Sequence, residues 1–178
     1  EPALKSCRIL HLSGISLAIS PEARQAARLA VGTAKAGGAL ISFDTNYRPA
    51  LWSPEAARRA IEELLPEVDI LLPSLEDAQL LTGLNDPFEV VAHFESTGPR
   101  IIALTRGADG AIVTDVANGV HAVVVPPTFV TPVDATGAGD AFDGAFLAGL
   151  LEGLSVVEAA QVANTVAAKT TQGYGALA

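Results

Sequence analysis

The heptapeptide Asp134-Ala135-Thr136-Gly137-Ala138-Gly139-Asp140 runs directly into an apolar stretch, Ala141-Phe142-Asp143-Gly144-Ala145-Phe146-Leu147. Two glycines let the backbone approach a ligand with no Cβ in the way. A helix starting here offers N–H groups without intrahelical partners at the positive end of its dipole, which suits a phosphate. Asp140, set among those amides, is expected to be held ionised and to take a proton from a nucleophile. An anion cradle and a base at one helix terminus are the equipment for moving a phosphoryl group onto a hydroxyl. The plainer alternative is an ordinary loop in which Thr136 or Asp134 caps a buried helix. Two familiar phosphate motifs are excluded. No Gly-Lys-Ser/Thr occurs, and Phe142 stands where a dinucleotide fingerprint needs its third glycine.

Such chemistry needs a frame to hold it. At 178 residues, 49% apolar and 17% charged, the chain reads as one domain over residues 1–178 with a core of its own. Short apolar runs at 8–12, 39–43, 69–72 and 101–104 read as strands, and helical patterns separate them. Pro21 opens one helix, which Gly37-Gly38 stops. Others are expected from Pro54 to about Leu65, after Ser74, and from Pro87 to about Ser96. Runs at 111–115 and 120–125 flank Ala117-Asn118-Gly119, a hairpin signal. The cradle helix is expected to reach about Glu152, and a last helix to span 156–170. This order predicts an α/β fold with a mostly parallel sheet ending in an antiparallel hairpin. Ligands of such sheets sit outside the carboxyl ends of the strands. The loops at Ser13-Gly14-Ile15-Ser16, at 44–48, at 74–77 and at Thr105-Arg106-Gly107 should therefore rim the same edge as the cradle.

A net charge of −9 argues against nucleic acid or an anionic membrane as partner. The single cysteine, Cys7, permits no internal disulfide and fits a reducing compartment. With no signal peptide and no apolar run near twenty residues, a soluble cytoplasmic protein is expected. His11, His93 and His121 are scattered without metal-ligand spacing, and no residue is assigned to a metal. The absence of Met and the opening Glu1-Pro2, just before a strand, suggest an internal piece of a longer protein.

Asp-x-x-Gly-Ala-Gly-Asp followed by Ala-Phe resembles the C-terminal signature of the ribokinase-like (PfkB-type) sugar kinases. Arg106-Gly107-Ala108-Asp109-Gly110-Ala111 is similar to that family's glycine turn near the nucleotide. Leu12-Ser13-Gly14-Ile15-Ser16-Leu17-Ala18 and the run from Phe43 through Asp44-Thr45-Asn46-Tyr47-Arg48-Pro49 to Trp52 resemble the 2-keto-3-deoxygluconate kinase branch. The resemblance implies a three-layer α/β/α fold. It also implies an absent N-terminal third, which carries the first strands, a glycine pair that binds sugar and a β lid through which a homo-oligomer would form. The implied reaction transfers the γ-phosphate of ATP, with Mg2+, to the 6-hydroxyl of 2-keto-3-deoxygluconate. Other sugars such as fructose, ribose or a nucleoside remain alternatives, as does a nucleotide-binding fragment without activity.

Residue by residue, the resemblance implies Asp140 as the base at the sugar hydroxyl, with the amides of Gly137, Ala138 and Gly139 on the moving phosphoryl. Arg48 is the expected contact to a substrate carboxylate or an ATP phosphate, with Asn46 beside it. Its plainer role is a surface arginine packed on Trp52. Thr105, Arg106, Gly107 and Gly110 are expected to line ATP, and Asn164 to lie near adenine. Ser74-Leu75-Glu76-Asp77 stands where many members carry Asn-x-x-Glu, so Ser74 and Asp77 are either near phosphate or a capping box. Asp134 orders the cradle loop or caps it. Magnesium is expected to be held through water and phosphate. These 178 residues alone, without lid and sugar glycines, are expected to show no sugar kinase activity.

Overall fold

In the computed structural model, which describes residues 2–175, fourteen α and β elements build three layers. In chain order they are α1 (Pro2–Ser6), β1 (Ile9–Ser13), α2 (Gly14–Ala18), α3 (Pro21–Ala36), β2 (Leu40–Asp44), α4 (Pro54–Glu62) and β3 (Ile70–Leu72). Then come α5 (Leu75–Thr82), α6 (Pro87–Glu95), β4 (Ile101–Thr105), β5 (Ala111–Asp115), β6 (Val120–Val125), α7 (Ala138–Leu151) and α8 (Val156–Thr170). The strands lie in the order β1-β2-β3-β4-β5-β6. β1 to β4 pair parallel, and β5 and β6 are antiparallel additions.

Strand side chains alternate between faces, so adjacent residues feed two cores. Phe43, Leu71, Ile102, Leu104 and Ile112 pack with Leu17, Val31, Ile61, Leu81 and Phe94 of the helices before β4. Their neighbours Ile70, Leu72, Ile101, Ala103 and Val113 pack on the other face with Phe142, Phe146, Val156 and Ala160 of α7 and α8. The apolar residues of β3, β4 and β5 are thus shared between the two sides, which is why residues 70–72, 101–104 and 111–113 read as unbroken apolar runs.

Three local expectations change. The loop expected after β1 winds into α2, because the Ser13 hydroxyl accepts from Ile15 N–H and caps it. The helix expected to reach Leu65 ends at Glu62, and a 3-10 turn covers Leu65–Glu67. Pro66 disfavours α geometry at the residue before it. The Asn-Gly connection is a 3-10 turn over Val116–Asn118 closed by left-handed Gly119, wider than a two-residue hairpin.

Candidate active site

α7 begins differently from the other long helices. Ser20, Ser53, Ser74, Asp86 and Ser155 each cap a helix by accepting a backbone N–H on a side-chain oxygen. The N-cap of α7 is Gly137, at φ 79, and no side chain caps it. Neither Thr136 nor Asp134 fills that place, so the plainer reading as a capped helix fails. Among the described residues, nothing accepts from the N–H groups of Gly137, Gly139 and Asp140. Ala138 departs from expectation, because its N–H donates to Ala135 O at 3.2 Å. Left-handed Gly137 closes a turn there, so the free donors are those of residues 137, 139 and 140 rather than 137 to 139.

The loop before this turn is held by Asp134. Its carboxylate accepts from Thr136 N–H at 2.9 Å, Thr136 Oγ1 at 2.7 Å and Gly175 N–H at 2.9 Å. These bonds hold its carboxyl below the usual carboxylate range.

A cavity of about 360 Å³ opens in front of α7. Its walls include Ala138, Gly139 and Phe142 on one side, and Thr105, Gly107, Gly110 and Asn164 beyond them. Phe129, Val130 and Pro132 from the segment after β6 complete an apolar wall. That segment escaped sequence reading; its apolar residues, following the last strand without belonging to one, were the available signal. Asn164 lines the cavity while its Nδ2 donates to Pro126 O at 2.8 Å, bracing that segment. Arg106 does not line the cavity. Its Nη2 donates to Asp109 O of its own turn at 2.6 Å, and its Nε is buried without a partner.

On the far side of the α7 terminus the character changes from apolar to acidic. Asp140 is exposed, and its charge is felt by His11, Asp44 and Asp143. Asp143, one turn further along α7, is only 6% exposed and makes no hydrogen bond among the described residues. Burial, then the charges of Asp44 and Asp140, push its carboxyl up to about 9. Asp44, at the end of β2, is pushed up to about 7, first by burial; Asn46 N–H and Arg48 oppose the shift, and Asp77 and Asp140 add to it. Buried Asp143 and half-buried Asp44 are not signalled as a coupled pair by the sequence. An acid between Phe142 and Gly144 in an apolar helix was the signal for one of them.

The strand-end loops are stitched together, as their common edge requires. Thr105 N–H donates to Pro73 O at 2.9 Å, and Ser74 pairs with Thr105 as an isolated bridge. The Ser74 hydroxyl is the N-cap of α5, accepting from Asp77 N–H at 3.1 Å. Asp77 does not complete a capping box: its carboxylate reaches across to the loop after β2 instead. Asn46, in that loop, is left-handed at φ 36. The Arg48 side chain is exposed and forms no hydrogen bond or ion pair among the described residues, while its carbonyl accepts from Leu51 N–H at 2.9 Å. The cation over Trp52 is Arg24, 5.8 Å from the ring centroid, so packing on that indole does not occupy Arg48. Arg48, Asn46, Ser74, Gly137 and Asp140 lie outside the walls of the cavity, while Thr105, Gly107, Gly110, Ala138, Gly139 and Asn164 lie in them.

An uncapped helix terminus beside an apolar cavity, at the edge of an α/β sheet, is an arrangement suited to a ligand that carries a phosphate. A family model described as "pfkB family carbohydrate kinase" matches residues 1–178, and the chain belongs to that family. It is 36% identical over 173 residues to a 2-dehydro-3-deoxygluconokinase of Escherichia coli (strain K12), covering 94% of this chain and 55% of the relative. A 2-dehydro-3-deoxygalactonokinase of Haloferax volcanii is 39% identical over 166 residues, covering 90% and 51%. A candidate ribokinase II from E. coli, solved in complex with ATP and Mg2+, superposes with a TM-score of 0.88 at 34% identity, covering 99% and 56%. The chain spans about half the length of the curated relatives it matches. The ribokinase-like fold agrees with the expectation from sequence. No helix among the described residues is long and apolar enough to cross a membrane.

Proposed function

We propose that the chain is the nucleotide-binding and catalytic part of an ATP-dependent kinase that phosphorylates the 6-hydroxyl of 2-keto-3-deoxygluconate. The observation that carries this is the unbonded trio of amides at residues 137, 139 and 140, with the Asp140 carboxylate exposed beside them. The base and ribose of ATP occupy the cavity behind Gly139, and the γ-phosphate lies over the helix terminus. Asp140 accepts the proton of the acceptor hydroxyl as its oxygen bonds to the γ-phosphorus and the bridge to the β-phosphate breaks. The free amides donate to the oxygens of the phosphoryl group in transit, where fixed donors aimed at developing charge lower the barrier most. No group of three or more acidic, His or Cys residues among those described could cage a metal. Magnesium would come with the ATP phosphates, held through water and phosphate, and would supply charge neutralisation there.

Arg48 is the feature that favours an acidic acceptor. A guanidinium with no internal partner, on the rim that carries Asp44, matches a carboxylate in fork geometry. The names of the 2-dehydro-3-deoxygluconokinase and galactonokinase relatives point the same way. The test is a comparison of acceptors in a version extended to the length of the relatives. ADP release is expected with 2-keto-3-deoxygluconate at a kcat/KM at least about tenfold above that with fructose, the margin one charge-assisted contact provides. Equal or better use of fructose would overturn the acid-sugar assignment. Localisation in the cytoplasm and pairing into a homo-oligomer belong to the same proposal, tested by fractionation and by mass in solution.

A further inference from the structure

Asp77 lies in the first turn of α5, yet it serves a loop thirty residues earlier. Its Oδ2 accepts from Tyr47 N–H at 2.8 Å and from Thr45 Oγ1 at 3.1 Å. Thr45 is fully buried, and the Tyr47 hydroxyl is anchored in turn on Trp52 O at 3.2 Å. Between them Asn46 adopts φ 36, a conformation that costs free energy and persists only where the surroundings impose it. Its N–H is held by Asp44 Oδ1 at 3.0 Å. From the opposite side Gly14 presses on the same segment: a Cβ at Gly14 would stand 1.9 Å from Thr45 O. Residues 44–47 are therefore gripped from α2, from β2 and from α5. Arg48 follows immediately, with no side-chain partner of its own, so the point from which it projects is set by the segment before it.

We propose that Asp77 is a positioning residue that acts through Arg48: its carboxylate fixes residues 45–47 and thereby presents the guanidinium to an anion. This rests on the assignment of Arg48 to an anionic ligand made above. The acceptor is matched to the task, since a carboxylate binds a backbone N–H more strongly than a neutral oxygen does. Both donors converge on one oxygen of Asp77, and neither bond involves the helix that carries it. Asp77 is in this sense a brace between two strand-end loops.

The experiment is a double-mutant cycle of Asp77→Ala and Arg48→Ala in a version extended to the length of the relatives. Affinities for Mg·ATP and for 2-keto-3-deoxygluconate are read by titration calorimetry, with the Mg2+ dependence of ATP binding alongside. Arg48→Ala identifies which of the two ligands it holds by weakening that one about tenfold. Asp77→Ala is expected to weaken the same ligand about fivefold or more and leave the other within twofold. The double variant should bind within about twofold of Arg48→Ala alone, because non-additivity is the mark of one residue acting through another. Asp77→Asn, which keeps an acceptor oxygen in place, should return affinity most of the way to the parent value. Multiplying effects in the double variant, or a shifted Mg2+ dependence in Asp77→Ala, would overturn the proposal and make Asp77 a direct contact. An Arg48→Ala variant with both affinities unchanged would sink the Arg48 assignment itself, and this proposal with it. Thr45→Val removes one of the two bonds with little change of shape. It should weaken the same ligand by a smaller factor, which keeps the test decisive if Asp77→Ala fails to fold.

Discussion

Replacing Asp143 by Asn should make the fold less sensitive to alkali, by an amount that follows from burial. Burial first, then the charges of Asp44 and Asp140, push the Asp143 carboxyl up to about 9 from the 3.8 of an ordinary aspartate. The folded state therefore holds a proton that the unfolded state has already lost across that whole window. Stability then falls as pH rises, at about 1.4 kcal/mol per pH unit for one proton. From pH 5 to pH 8 the ceiling for this group is about 4 kcal/mol. Sharing of charge with Asp44 and local relaxation reduce the expected loss to about 2–4 kcal/mol. The amide introduced by Asp143→Asn has the same shape as the carboxyl and nothing to ionise, so that loss disappears in the variant. For a domain of this size, the difference between the two proteins should grow by roughly 10 °C in melting temperature between pH 5 and pH 8. Thermal melts followed by circular dichroism at the two pH values measure it directly. Melting temperatures that fall in parallel for both proteins would refute the buried, proton-holding state of Asp143.

Two other substitutions probe the scaffold. Gly110→Ala places a Cβ 2.3 Å from Val125 O at a backbone with φ 79; a loss of about 3 kcal/mol or more is expected, read as a lowered urea midpoint. Ser155→Ala removes the capping box it forms with Glu158 at the start of α8, and about 1 kcal/mol of stability should go with it in the same assay.

What could be read from residue order was whatever is written locally. Ser155 with Glu158 three residues on announces α8, and its span Val156–Thr170 follows. The alternation of short apolar runs with capped helices announces the sheet and its antiparallel end, because each strand between two helical layers must be apolar throughout. Asp134 reads as an organiser of the cradle loop, since an aspartate two residues before Thr136 suits a local turn.

What could not be read depends on partners distant in sequence or on a single dihedral angle. Asp77 reads as half of a local capping box until the fold brings Thr45 and Tyr47 beside it. Arg106 reads as one of the residues lining ATP, yet its guanidinium bonds back to Asp109 O. Ala138 reads as a donor because it opens the helix; the left-handed conformation of Gly137 gives its N–H to Ala135 instead. The burial of Asp143 depends on which face of α7 meets the sheet, and α7 is apolar on nearly every side.

In the proposed reaction, free amides opening α7 hold a migrating phosphoryl group while Asp140 takes the acceptor's proton. Asp140→Asn, in a version extended to the length of the relatives, tests it with turnover and Mg·ATP affinity measured on the same sample. A fall in kcat of at least about a hundredfold with ATP affinity within a few-fold of the parent is the predicted result. Turnover that survives the substitution within a few-fold would rule Asp140 out as the base.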